Sequence, residues 1–139
     1  MKSGILNFYK FYAEERSYFI HFYDVKDQID RAKNGDPSAQ SSLAFRYYEG
    51  DVVEKNLSES AKWFLLATKN GSDDTNSLVR LYEKGERSDD LVNWLQKSPS
   101  ASFEIAKMFS KGTGIEINQI EADRWFLLAM NNGNSSSDL

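Results

Sequence analysis

The chain has no cysteine, a single histidine, two prolines and no apolar run approaching the roughly 20 residues that a membrane-crossing helix needs. Each shortage removes a class of protein. Without cysteine there is no disulfide framework, thiol nucleophile or zinc knuckle. His21 could act only with carboxylates, and helical periodicity sets it on a polar face, where it reads as an exposed bystander. Positive charge is also short: 17 Lys and Arg stand against 21 Asp and Glu, giving a net charge of −4. That balance opposes a nucleic-acid role, which needs a basic face to displace counterions. It suits solubility and speeds encounter with a basic protein partner. Met1-Lys2-Ser3-Gly4-Ile5-Leu6-Asn7 holds no uninterrupted apolar stretch, so no secretory leader is expected, and a soluble cytoplasmic protein is. What remains is ample for a folded domain: 139 residues, 40% hydrophobic and 14% aromatic.

Within that composition one pattern dominates. Trp63-Phe64-Leu65-Leu66-Ala67 recurs as Trp125-Phe126-Leu127-Leu128-Ala129, and the flanks repeat with it. Val53-Glu54-Lys55-Asn56 matches Ile115-Glu116-Ile117-Asn118, Gly50 matches Gly112, and Gly71 matches Gly133. Self-similarity over this length signals a repeat architecture. Local signals agree on helices. Asp36-Pro37 and Ser98-Pro99 each place an acceptor side chain before a proline at a first helical position, where no amide proton is needed. Asn56 with Glu59, and Asn118 with Glu121, have capping-box spacing. Gly50 and Gly112 stand where helices end.

Ahead of the repeats, residues 5–23 carry Phe8, Tyr9, Phe11, Tyr12, Tyr18, Phe19, Phe22 and Tyr23, all within half of a helical wheel. Adjacent aromatic pairs rule out strand alternation. An amphipathic helix, broken near Glu15 or continuous, is expected. Asp24 is then the expected cap of a second, shorter helix carrying Val25, Ile29 and Ala32 and ending at Asn34-Gly35. The aromatic stripe either covers the first repeat's open side or is left for a partner.

Gly35, Ala39-Gln40, Leu43, Tyr47, Gly50, Val53, Asn56, Ala61-Lys62-Trp63-Phe64, Ala67 and Gly71 resemble a Sel-one-like repeat, a relative of the tetratricopeptide repeat. Ala101, Ile105-Ala106, Phe109, Gly112, Gly114, Ile115, Asn118, Glu121-Ala122, Trp125-Phe126, Ala129 and Gly133 match it again. The resemblance implies an all-α fold, a right-handed α-solenoid of stacked antiparallel helix pairs. Its units are 35–70, a shortened 71–96 and 97–133, between an aromatic-rich N-terminal segment 1–34 (a degenerate repeat or cap) and a frayed tail 134–139. Val52 stands where the pattern has a second loop glycine, so the first loop is expected to be distorted. Leu43, Tyr47, Trp63, Ala67, Tyr82, Trp94, Phe109, Trp125 and Ala129 are the expected repeat core. The middle unit is short: Gly85 to Trp94 is 9 residues against 13 for Gly50 to Trp63, which should disturb the superhelix locally.

No catalytic constellation survives inspection. Glu14-Glu15, Asp73-Asp74 and Asp89-Asp90 are adjacent, so on helices their side chains diverge. Gly112-Thr113-Gly114 follows a helix and lacks the remaining glycines and the lysine of a phosphate loop. A non-enzyme with no cofactor and no metal is expected. The resemblance implies scaffolding, adaptor work or inhibition by capture of one protein partner, with no nucleic acid and no membrane. A small acidic member is similar to a bacterial immunity protein that neutralises a toxic effector; a signalling adaptor is the alternative. In related repeats the first helix of each pair lines a concave surface. Its candidate contacts here are Phe45, Arg46, Tyr48 and Glu49, then Arg80 and Lys84, then Phe103, Glu104, Lys107 and Met108.

If the tryptophans are wedges between stacked helices, Trp63→Ala and Trp125→Ala should each cost about 3–5 kcal/mol, as large-to-small aromatic changes in cores do. Chemical denaturation checks this, and unchanged midpoints in both variants would dissolve the repeat-core assignment.

Overall fold

The computed structural model describes residues 15–137, and side chains within residues 23–133. Seven helices run in order: α1 (Glu15–Lys33), α2 (Pro37–Glu49), α3 (Leu57–Lys69), α4 (Thr75–Glu83), α5 (Asp89–Lys97), α6 (Pro99–Lys111) and α7 (Gln119–Ser137). No strand occurs among the described residues. The architecture is an all-α solenoid. α2 packs along α3, and α6 along α7; α1 lies on α2, while α4 and α5 bridge from α3 to α6 and α7.

The helix starts follow from local chemistry. Asp36 accepts from the amides of Ser38 and Ala39 ahead of Pro37. Those bonds, the one from Ala39 foremost, and the Arg31 guanidinium hold its carboxyl below the usual carboxylate range. Asn56 and Asn118 accept from the amides of Glu59 and Glu121, three residues on in each case. Ser98 caps the end of one helix and the start of the next: its hydroxyl accepts from Ala101, and Pro99 keeps it in extended backbone. That proline ends α5 after 9 residues, where α2, α3 and α6 have 13.

The core is one cluster centred on Phe64, Leu78, Leu81, Leu91, Leu95, Ile105 and Trp125, with a smaller one of Ala32, Ala39 and Leu43 under α1. Three buried polar side chains knit the helices together. Gln40 donates to the Ala32 carbonyl, and Ser102, at the matching position one long repeat later, donates to the Leu95 carbonyl. Both acceptors lie in the last turn of the preceding helix, where a carbonyl has no intrahelical donor. Ser60 donates to Ala44 O at 2.8 Å.

The structure departs from the sequence expectations in four places. Helix α1 runs unbroken through Asp24, which is exposed and mid-helix rather than a cap. No proline or glycine interrupts residues 15–33, and the inner stripe of buried Val25, partly buried Ile29 and buried Ala32 keeps helical spacing. Residues 5–14, with Phe8, Tyr9, Phe11 and Tyr12, lie outside the described residues, as do the side chains of Tyr18, Phe19, His21 and Phe22. At the other end, α7 passes through Gly133 and continues to Ser137, where a frayed tail was expected. Leu43, Ala67, Tyr82, Phe109 and Trp125 are buried, but Tyr47, Trp63, Trp94 and Ala129 are only partly so. The reason for the unequal tryptophans is what precedes them. The Tyr82 ring from α4 stands edge-on to Trp125 at 5.5 Å, whereas no helix precedes α1 among the described residues to do the same for Trp63. Trp63 instead joins the two clusters, and the larger mutational cost belongs to Trp125.

The fourth concerns Val52. The loop is not distorted: the Asn56 amide donates to Tyr47 O at 2.8 Å, as Asn118 does to Phe109 O at 2.9 Å. Val52 adopts φ 68° where Gly114 adopts φ 78°, so a β-branched residue is held in the left-handed region that glycine normally supplies. Such strain is worth about 1–3 kcal/mol. The greater unfolded-chain freedom of glycine offsets about 0.5–1 kcal/mol of any relief. Val52→Gly should therefore raise the urea midpoint, by a net of about 1 kcal/mol. Gly114→Val should lower it by a comparable net amount, because the same left-handed φ is imposed there and the Glu83 carboxylate that a Cβ would meet is the movable end of a flexible side chain. A lower midpoint for Val52→Gly would show that the loop is not under strain.

Candidate partner-binding face

The first helices of the three pairs are α2, α4 and α6, and their outward sides carry the residues nominated from sequence. They do not form one continuous strip. The backbones of α4 and α6 come within 8 Å of each other, while α2 and α4 do not. What joins α2 to the next unit is a polar latch at its N-terminal end: the Ser41 hydroxyl donates to Asp74 at 2.7 Å and contacts the Ser72 hydroxyl at 3.0 Å. One turn further along α2 from Ser41, no backbone of α4 approaches closely. Phe45 is consequently 48% exposed, its ring edge-on to buried Phe64 at 5.0 Å. An aromatic that is half open and backed by a rigid core ring is preorganised for contact.

The other candidates divide by their commitments. Glu49, Arg80 and Lys84 are exposed. Glu104 and Lys107 pair with each other at 3.1 Å, and Lys107 also lies over the Phe103 ring at 4.9 Å. Phe103 is 47% exposed but leans towards α7, where it meets Phe126 at 5.6 Å, so it belongs to the side shared with α7 rather than to this face. Tyr48 and Met108 pack against the main core and are only partly open. Arg46 is tied down: its Nε donates to Gln28 of α1 at 3.0 Å, and its Nη1 to Asp51 at 2.8 Å. These partners were not singled out from sequence, because Gln28 lies 18 residues away and no local spacing links the two. Gln28, Ser42, Phe45, Arg46, Glu49 and Asp51 together line a shallow cavity of about 270 Å³ between α1 and α2.

In the α4–α5 loop, Arg87 stacks on the Tyr82 ring, 3.6 Å from its centroid, and donates to the Tyr82 carbonyl. Burial pushes the Tyr82 hydroxyl above its ordinary pKa, so the ring stays neutral. Among the described residues, no group of three or more His, Cys, Asp or Glu is placed to hold a metal ion. No helix among them is long and apolar enough to cross a membrane.

The family model described as Sel1 repeat matches residues 37–72 and 99–134, the two complete helix pairs α2–α3 and α6–α7. A putative sel1-like repeat-containing protein, L21, of Acanthamoeba polyphaga mimivirus is 29% identical over 113 residues; these are 78% of this chain and 21% of that protein. The chain thus spans about a fifth of the length of that curated relative. Two solved structures are similar at 27% identity and a TM-score of 0.43. One is c5321, a protective antigen of uropathogenic Escherichia coli strains with an SLR fold, matched over 78% of this chain and 26% of that one. The other is a Sel1 repeat protein from Oxalobacter formigenes, matched over 83% and 94%.

The commitments of Arg46 give a stability prediction. Arg46→Ala removes two hydrogen bonds that join α2 to α1 and to its own loop, and should cost about 1–2 kcal/mol. Arg80→Ala, at an exposed position, should stay within about 0.5 kcal/mol of the parent. Thermal melts of the two variants check this, and equal melting temperatures would show that the Gln28 and Asp51 contacts are idle.

Proposed function

The chain belongs to the Sel1 repeat family, and from that premise we propose that it is a non-catalytic protein-binding module whose partner docks on the side presented by α2, α4 and α6. The observation that carries this reading is Phe45, a large aromatic left half exposed over a rigid core ring, on the face that also presents Glu49, Arg80 and Lys84. Aromatic and Arg side chains are the types that dominate interface energies. Separation of α2 from α4 supports a partner that reaches in beside Phe45 rather than one lying flat across all three helices. The net charge of −4 favours a basic partner. Within this class the finer reading is inhibition by capture, as an immunity protein neutralises a toxic effector in the cytoplasm of a bacterium. A regulatory adaptor that binds without blocking is the alternative.

Once a partner is captured by pull-down, calorimetric titration tests the face. Phe45→Ala and Arg80→Ala should each weaken binding at least about tenfold, roughly 1.4 kcal/mol. Parental affinity in both would remove this face from consideration. Co-expression then separates the finer readings: rescue of growth from a toxic partner supports inhibition, and binding without rescue supports the adaptor.

A further inference from the structure

The two complete repeats are in register at a separation of 62 residues, so each position of α2–α3 has a counterpart in α6–α7. In the first repeat Phe64 is fully buried, because α4 and α5 of the next unit lie on α3. Its counterpart Phe126 is only partly buried, and Leu127, the counterpart of partly buried Leu65, is 57% exposed. Nothing among the described residues occupies, on α7, the place that α4 occupies on α3. The place is shaped as a groove of about 480 Å³ between α6 and α7, lined by Pro99, Ser100, Phe103, Phe126, Ala129 and Met130.

Two substitutions within the register make this groove more apolar than the occupied one. Phe103 stands where Ser41 latches the next unit through Ser72 and Asp74, and Met130 stands where the first repeat has Thr68. The terminal groove has therefore lost the polar latch and gained a second aromatic ring and a pliable thioether. Met130 is 59% exposed. The lining carries no charged side chain.

We propose that the α6–α7 groove is a second docking surface, which takes an amphipathic helix of a protein partner in the position that α4 holds on α3. The stacking interface inside the chain defines the occupant's chemistry. α4 offers Leu78, Val79, Leu81 and Tyr82 from one side, so the ligand helix carries large aliphatic or aromatic residues at spacings of three and four. With Ser41 replaced by Phe103, it needs no acidic residue at its N-terminus. This surface is distinct from the α2–α4–α6 side and does not depend on it.

The probe is a labelled peptide with the sequence of residues 72–97, which spans α4 and α5, titrated into the full chain by fluorescence anisotropy. Saturable binding is expected, weakened at least tenfold by Met130→Glu and unchanged by Arg80→Ala. Met130 is mostly exposed, so the melting temperature of Met130→Glu should match the parent, which separates a lost contact from a lost fold. Absence of saturable binding, or equal binding by parent and Met130→Glu, overturns the proposal. Sedimentation supplies a second arm: self-association of the parent that Met130→Glu abolishes would give the groove to a second copy and overturn the partner assignment.

Discussion

No helix pair in this chain can bury both of its faces, and the rest of the structure follows from that constraint. Phe64 shows it most directly. It sits on the second helix of the first complete repeat and is sealed from solvent between its own pair and the shortened middle unit that packs on α3. The same middle unit sends Tyr82 in the other direction, edge-on to Trp125 of the last repeat. Two nine-residue helices thus close the open flank of both complete repeats. Their brevity is compatible with this, because Leu78, Leu81, Leu91 and Leu95 are all fully buried. In the first-helix layer α2 and α4 part, and Phe45 is half exposed there.

Apolar burial alone does not set the register of one helix on another, since Leu against Leu tolerates sliding. The buried side chains of Gln40, Ser60 and Ser102 do so, because each donates to a particular carbonyl of a neighbouring helix and would lose that bond on a shift. Ser60 takes a place that is an alanine in the second repeat, and it converts a close helix approach into a hydrogen bond. The loops follow the same economy. Residues 50–56 and 112–118 have the same hydrogen-bond pattern although one places Val52 where the other has glycine. The fold imposes the left-handed conformation there whichever residue occupies the position.

Much of this was legible in the sequence, for reasons that are local. Caps at Asp36, Asn56, Ser98 and Asn118, and the helix ends at Gly50 and Gly112, depend on residues within a turn of one another. The illegible parts depend on contacts across the chain. Asp24 reads as a cap until it is seen that Val25, Ile29 and Ala32 continue a helix already under way. Arg46 reads as a free interface residue until Gln28, on another helix, is found to hold it. Trp63 and Trp125 are identical in local sequence and differ in burial because only one has Tyr82 against it. The nominated face was legible as a set of outward positions, but not the gap that divides it. The apolar groove at the other end was in fact readable, by comparing Ser41 with Phe103 and Thr68 with Met130 across the repeat, because register and side-chain polarity suffice to find it.

The central claim is that the middle unit couples the two complete repeats into one cooperative body through Phe64 on one side and Trp125 on the other. Native-state hydrogen exchange tests it most directly, because it reads opening free energies helix by helix. The account predicts that the slowest amides of α3, α5 and α7 share one opening free energy, equal to that of global unfolding, and respond alike to low denaturant. Exchange of α2 and α3 through one opening, with α6 and α7 remaining protected and opening in a separate step, would contradict it.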